Sequence, residues 1–295
     1  MTNAEIYKKT IGFSTRRLLW DFLSLLILAG LSVGGFFVAE KVTDEGLIGL
    51  GIGFLVGIVI LVIILRWVSY TYKAGQIAMM TKAVTEDELP QDVIGEGKQA
   101  VKKRFTTIAV FFAATGIIKG IFRQIGNGIA KVGERVGGDS GNAIGSAISA
   151  VIQTIVAYLC DCCLGWIFYK KDEKPARATL QGAALFFRHG KTFAKNMGRV
   201  FGIGFISLLL IGGVFFGAAY LIFSSFPVFF KDLAGEFTKI LADGDVAEKS
   251  RWLVDILTNP TTLIIAAAVL VALFFWSAIH STFVRPFVLV GVLRN

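Results

Sequence analysis

Residues 261–283 have the sequence TTLIIAAAVLVALFFWSAIHSTF, which contains no Asp, Glu, Lys or Arg. A run of about twenty apolar residues forms a helix long enough to cross the hydrocarbon core of a bilayer. The whole chain shares this character, because 55% of its 295 residues are hydrophobic and its mean hydropathy is +0.68. Soluble domains of this length do not have such a composition. The sequence therefore predicts an all-α, polytopic integral membrane helix bundle that forms a single membrane domain.

Similar stretches recur along the chain and predict about six transmembrane helices, at 19–39, 47–70, 105–125, 141–169, 197–223 and 261–283. The third is the least certain, because Lys119 interrupts its apolar run. The flanking segments 82–104 and 170–199 are both basic, which is typical of cytoplasmic loops. An even number of crossings must separate two cytoplasmic loops, so 105–125 is predicted to cross as 141–169 does. A re-entrant hairpin from the cytoplasmic side is the alternative.

The charges of the loops predict the orientation of the chain. The leader before residue 19 is basic, whereas the loop 224–259 carries six acids against four bases. We therefore expect a protein of the cell membrane with both termini in the cytoplasm. Apolar residues at helical spacing predict an amphipathic outer segment over 224–259 and a cytoplasmic one over 170–196. The net charge of +9 lies beside the spans, which favours anionic lipids at the cytoplasmic face rather than nucleic acid as the partner.

The helix predicted over 141–169 carries a stripe of small and polar residues that ends at an acid. Members of the stripe recur at steps of three or four residues: Asn142, Ser146, Ser149, Gln153, Ala157 and Cys160 or Asp161. Ionisable groups inside a span are costly and usually face a bundle interior, a partner or water. The stripe therefore indicates a solute pathway in which Asp161 meets a cation or proton. The alternative is a packing seam in which Asp161 pairs with an arginine, either Arg66 or Arg285.

Two rows of glycine predict close contact between helices. Gly49, Gly53 and Gly57 form one row in the second span, and Gly213 and Gly217 form another in the fifth. Glycines four residues apart let helix backbones approach each other, either within one chain or between subunits. A homo-oligomer is therefore one of the expected partners.

The remaining reactive residues give weaker signals. His280 is interpreted as a hydrogen-bonded interior histidine, with a proton relay as the second interpretation. Cys160, Cys162 and Cys163 are interpreted as packing residues, with S-acylation and metal binding as alternatives. Zinc takes four ligands, and only His189 and His280 could join the cysteines, so no metal is expected. The sequence has no motif of a hydrolase or a phosphate-binding loop, so neither an enzyme nor a cofactor is expected.

The C-terminal part of the chain resembles the choline-transporter-like family in layout. The resemblance covers a cysteine-bearing helix with LCDCCLGWIFYKK, an amphipathic stretch with ARATLQGAALFFRHGKTFAKN, and a last helix ending in SAIHSTFVRPFVLVGVLRN. It extends over less than half of the chain and includes no diagnostic motif. The large outer domain typical of that family is absent. What the resemblance implies is membrane transport of an organic cation.

Two classes of function follow from these observations. The first is a transporter or channel for small polar or cationic solutes, built around the stripe that ends at Asp161. The second is a membrane scaffold or assembly partner that binds protein or lipid through its glycine rows and amphipathic segments. The two classes differ in whether water reaches the stripe.

Overall fold

The computed structural model describes residues 1–43, 46–106, 109–120, 141–188, 190–242 and 251–294, and for 141–154 and several shorter stretches it describes the backbone alone. Every regular element in these ranges is a helix, so the predicted all-α fold is confirmed. The helices are α1, Asn3–Thr43; α2, Gly46–Val68; α3, Ala74–Glu86; α4, Val93–Arg104; α5, Ala109–Gly120; α6, Gly141–Tyr169; α7, Pro175–Arg188; α8, Gly190–Ser207; α9, Gly213–Ser224; α10, Pro227–Ala242; α11, Arg251–Thr258; α12, Pro260–Ile279; and α13, Arg285–Arg294. Helices also continue through π-helical turns at Ser69–Lys73, Leu208–Gly212 and His280–Val284.

The chain divides into two compact units. Unit 1 comprises Met1–Met197 together with Arg285–Asn295, and unit 2 comprises Gly198–Val284. In unit 1, α1 packs along α2, while α3 contacts α1, α4, α6 and α13. A buried cluster that includes Ile6, Met80 and Val290 joins α1, α3 and α13. In unit 2, α12 packs against α9, α10 and α11.

Four stretches of the described chain are long and apolar enough to cross a bilayer: Asn3–Thr43, Ile48–Glu86, Gly198–Ser224 and Pro260–Arg294. Large apolar side chains lie exposed along them; Leu55 is 64% exposed and Leu270 is 69% exposed. Contiguous apolar surface of this kind is an aggregation liability in water, whereas lipid tails are as apolar as leucine itself. The chain is therefore a helical membrane protein.

The other two predicted spans correspond to shorter apolar helices. The predicted span 105–125 contains α5, and its residues from 121 onwards lie outside the described part of the chain. The predicted span 141–169 coincides with α6, in which Ile155–Tyr169 is an apolar helix of the described residues. Six crossings, and the re-entrant alternative for 105–125, stay predictions.

The first two helices extend well beyond the spans predicted for them. α1 begins at Asn3 rather than near residue 19, and the second helical stretch continues past residue 70 to Glu86. The apolar window of a span reflects the thickness of the bilayer, whereas backbone hydrogen bonds continue for as long as the sequence favours a helix. The additional turns bury Ile6 and Met80 in the core of unit 1.

Both predicted amphipathic segments contain helices with one buried face. In the segment 170–196, α7 buries Ala178 and Ala183 and leaves Leu180 exposed. In the segment 224–259, α10 packs Phe230 and Ala234 against α12. Residues 243–250 of that second segment lie outside the described part of the chain.

Glycines bring α1 and α2 into backbone contact. Gly49, Gly53 and Gly57 all lie against α1. A Cβ atom at Gly53 would overlap the carbonyl oxygen of Leu31, and one at Gly57 would lie 2.6 Å from Cδ1 of Leu28. The glycine row of the second span is therefore filled by a neighbouring helix of the same chain.

We expect Gly53→Ala to lower the free energy of unfolding by about 1–3 kcal/mol, because the new methyl group must push α2 away from the backbone at Leu31. Gly51→Ala is the matched control, since a Cβ at Gly51 has no atom within 4 Å among those described. The control is expected to leave stability unchanged or to raise it by up to about 1 kcal/mol through helix propensity. Detergent unfolding followed by circular dichroism measures both. Equal effects of the two substitutions would contradict the packing.

Candidate functional site

Asp161 is buried in the carboxyl-terminal half of α6. Its exposed fraction is 1%, and the adjacent Cys162 and Cys163 are buried as well. Tyr158, one turn earlier on the same helix, is also 1% exposed. A carboxylate in such surroundings loses the water that stabilises its charge, so it requires charged partners.

Two cations from other elements of unit 1 provide those partners. Nζ of Lys73 lies 2.7 Å from Oδ1 of Asp161. The guanidinium of Arg285 donates from Nη2 to Oδ2 of Asp161. These three residues are called the Asp161 cluster below.

Both cations of the cluster stand at the end of a π-helical turn. Lys73 is the last residue of the turn Ser69–Lys73, and Arg285 follows the turn His280–Val284 directly. A π-helical turn uses hydrogen bonds between residues i and i+5, so it shifts the face that later side chains occupy. Such turns occur frequently at functional sites. Lys73 and Arg285 each follow a local change in helix phase, and both side chains reach the carboxylate of Asp161.

The two cations are held unequally. Arg285 also donates from Nη2 to the carbonyl oxygen of Ala157 at 2.7 Å, and its Cζ lies 5.0 Å from the centre of the Tyr158 ring. Lys73 has no second ion pair or hydrogen bond from its side chain among the described residues, and 27% of that side chain is exposed. Arg285 thus makes three kinds of contact, whereas Lys73 contacts the carboxylate of Asp161 alone among the described polar groups.

The cluster carries more positive than negative charge. One carboxylate faces the two cations Lys73 and Arg285. Arg17 of α1 lies within electrostatic range of Asp161 and Arg285, but its own partner is Asp21, with 3.8 Å between Nε and Oδ2. The pair of Arg17 and Asp21 is neutral, so it leaves the surplus unchanged. Inside an apolar bundle, a surplus of one positive charge is costly.

Arg104 of α4 fixes the carboxyl end of α6. Its guanidinium donates to the carbonyl oxygens of Ile167, Lys170 and Lys171 at 2.9, 2.6 and 3.1 Å. Desolvation lowers the pKa of Arg104, although the nearby charge of Asp172 opposes the change. Cations at the end of a helix satisfy carbonyl groups that have no partner within the helix. This contact anchors the helix that carries Asp161.

For the residues of the predicted stripe from 142 to 153, the structure describes the backbone but not the side chains. Asn142, Ser146, Ser149 and Gln153 belong to α6, but their side chains lie outside the described part of the chain. His189 lies outside it altogether. Of the two predicted arginine partners, Arg285 pairs with Asp161, whereas the guanidinium of Arg66 lies 5.7 Å from the centre of the Phe112 ring.

His280 belongs to a hydrogen-bonded group in unit 2. Its Nδ1 lies 2.9 Å from Oγ of Ser207, and Nε1 of Trp276 donates to the same oxygen at 3.1 Å. The rings of Trp276 and His280 lie 5.3 Å apart. This is the geometry of an interior histidine that is hydrogen-bonded to its neighbours.

The second glycine row has no close neighbour, and the three cysteines are buried, among the residues that the structure describes. A Cβ at Gly213 or Gly217 would meet no described atom within 4 Å, in contrast to the glycines of α2. Cys160, Cys162 and Cys163 are free thiols that are buried in unit 1. Among the described residues, no group of three or more His, Cys, Asp or Glu side chains could hold a metal ion.

Lys73 is the member of the cluster that sequence reasoning missed. The second span was expected to end near Tyr70, where the aromatic residues of YTYK indicate the membrane interface. The helix continues past that point to Glu86, with buried Ile77 and Met80 on the way. The apolar character of AGQIAMM after Lys73 was the signal that the lysine lies inside a packed helix.

No protein-family model, curated protein or solved structure matches the chain. The functional argument therefore rests on the geometry of the Asp161 cluster and on the membrane character of the helices.

Proposed function

We propose that this membrane protein transports small cations, with Asp161 as the group that binds them. In this proposal Lys73 occupies the site when no solute is bound, and an incoming cation displaces its ammonium group. The single observation that carries the proposal is that one buried carboxylate holds two cations, of which Arg285 has further partners and Lys73 has none among the described residues.

The surplus charge supports a working site over a purely structural one. A structural role for Asp161 needs only one cation, and Arg285 already supplies it. Keeping Lys73 in addition costs desolvation that one carboxylate does not fully offset. An ionisable residue inside a membrane segment is by default a candidate functional residue. The second cation is therefore best explained as a substitute for the solute.

The chemistry of Lys73 suits such a substitute. An ammonium group is a compact point charge on a flexible stem, so it can leave a carboxylate without breaking a planar, bidentate arrangement. Its side chain is partly exposed, and in this proposal the cation approaches Asp161 along it. The stripe from Asn142 to Gln153 on α6 would continue this route through the membrane. Organic ammonium ions and alkali cations are the solute class that matches the site.

Flux measurements in liposomes test the proposal. We would reconstitute wild type, Asp161→Asn, Lys73→Gln and the control Asp232→Asn, and measure uptake of radiolabelled choline and of potassium. Asp232 is an exposed acid of α10, so its substitution removes an equal charge away from the site. We expect a flux in wild type and in the control, and at least a tenfold lower flux in Asp161→Asn.

Lys73→Gln gives an independent readout in case Asp161→Asn does not fold. Removing the competing ammonium is expected to lower the half-saturating concentration of the transported cation at least threefold. Two outcomes contradict the proposal: no flux above protein-free liposomes in wild type, or an unchanged half-saturating concentration in a folded Lys73→Gln. In either case the cluster holds the fold together, and the scaffold function becomes the better explanation.

A further inference from the structure

A cleft at the carboxyl end of α6 has the features of a binding site and is separate from the Asp161 cluster. It lies in unit 1 between α3, α6, α7 and α13, and its volume is about 590 Å³. Trp166 and Lys170 line it from α6 and the residue after it, Leu185 from α7, and Leu293 from α13. Ligand pockets commonly have volumes of roughly 300–1,000 Å³, so the cleft is of suitable size.

Buried polar atoms without a partner gather around this cleft. Nε1 of Trp166, Oγ1 of Thr81 and Oε1 of Gln181 are buried and have no hydrogen-bond partner among the described residues. Trp166 and Thr81 line the cleft itself, while Gln181 lines an adjoining cavity of about 380 Å³ that shares Trp166 and Lys170 with it. Most buried polar groups in proteins are hydrogen-bonded. These three atoms comprise an N–H donor, a hydroxyl and an amide oxygen acceptor. They therefore indicate a ligand with both acceptor and donor groups.

The charges around the cleft define the sign of that ligand. Nζ of Lys170 lies 5.3 Å from the centre of the Trp166 ring, and Arg188 lines the adjoining cavity. Glu173, three residues after Lys170, is paired with Arg177 at 3.4 Å. Lys170 of the cleft and Arg188 of the adjoining cavity therefore have no ion pair with the described residues, which favours an anionic group.

Much of the remaining lining is apolar. Val84, Leu185, Val292 and Leu293 form an apolar wall. Trp and Tyr side chains concentrate at the level of lipid headgroups, and here Tyr169 beside Trp166 is 48% exposed. An apolar wall with a basic, aromatic mouth matches a molecule that has one charged end and a long hydrocarbon tail.

We propose that this cleft binds one phospholipid with an anionic, hydroxyl-bearing headgroup, such as phosphatidylglycerol. The phosphate pairs with Lys170 and Arg188, and the ester carbonyl oxygens accept hydrogen bonds from Trp166 Nε1 and Thr81 Oγ1. A headgroup hydroxyl donates to Gln181 Oε1, and an acyl chain covers the apolar wall. The site does not depend on the transport function proposed above.

Native mass spectrometry tests the proposal with a matched pair of variants. Purified protein in detergent is mixed with equal amounts of dioleoylphosphatidylglycerol and dioleoylphosphatidylcholine. We expect wild type to retain one phosphatidylglycerol in preference to phosphatidylcholine, and the double variant Lys170→Gln, Arg188→Gln to retain at least fivefold less. The control Lys8→Gln, Lys102→Gln removes two exposed cations outside the cleft and is expected to bind as wild type does.

A second measurement locates the lipid without any substitution. Phosphatidylglycerol with a photoreactive diazirine in its acyl chain is reconstituted with wild type, and cross-linked peptides are identified. We expect cross-links in the peptides that contain Leu185 and Leu293. Equal retention of the two lipids, equal losses in the two double variants, or cross-links confined to the exposed faces of α1 and α2 would each overturn the proposal.

Discussion

Replacing Asp161 with asparagine is expected to lower the free energy of unfolding by about 3–5 kcal/mol. The substitution preserves the size of the side chain and removes its charge, so Lys73 and Arg285 then face each other across a neutral amide. Removing one member of a buried ionic group leaves the others without compensation, and the cost of their burial is no longer offset. Equilibrium unfolding in mixed detergent micelles, followed by circular dichroism, measures the loss.

A control and a partial rescue make this expectation specific. Asp232→Asn removes an exposed acid and should change stability by less than about 0.5 kcal/mol. Adding Lys73→Gln to Asp161→Asn should recover about 0.5–3 kcal/mol, because one of the two stranded cations is then gone. A loss of less than about 1 kcal/mol in Asp161→Asn is the value typical of exposed ion pairs, and it would show that water already solvates the cluster.

The glycine rows show what spacing along a helix determines and what it does not. Gly53 and Gly217 both belong to rows with a period of four, and the sequence predicted close helix contact for both rows. Gly53 touches the backbone of α1, whereas open space surrounds the position of a Cβ at Gly217 among the described atoms. The period places residues on one face of a helix, but the identity of the element opposite that face depends on tertiary structure.

The ion cluster follows the same logic. A buried carboxylate needs a cation because its desolvation is costly. The pairing of Asp161 with a membrane arginine was therefore predictable, and Arg285 was one of two candidates. Lys73 was not predictable in this way, because its position depends on a helix that continues beyond the membrane interface and on the π-helical turn at Ser69–Lys73. Hydropathy locates the apolar part of a span but does not report where packing extends the helix or changes its phase.

Arg285→Gln and Lys73→Gln are expected to differ in their effects on stability, although each removes one positive charge from the same carboxylate. Arg285→Gln should cost about 3 kcal/mol, because it breaks the hydrogen bonds to Asp161 and to the carbonyl oxygen of Ala157 and the contact with the Tyr158 ring. Lys73→Gln should cost less than about 1 kcal/mol, because it loses one ion pair but also relieves the surplus charge. Detergent unfolding of the two single variants measures the difference directly.

The order of these two effects bears on the proposed transport mechanism. A solute cation can replace only a partner of Asp161 whose departure the fold tolerates, and the contacts assign that part to Lys73. If Lys73→Gln proves the more costly substitution, the lysine is the structural partner and displacement by a solute is ruled out. If both variants cost about 3 kcal/mol or more, the three charges act as one rigid unit, and a cation can reach Asp161 only by opening the bundle. The expected inequality therefore separates an exchangeable site from a static one before any flux is measured.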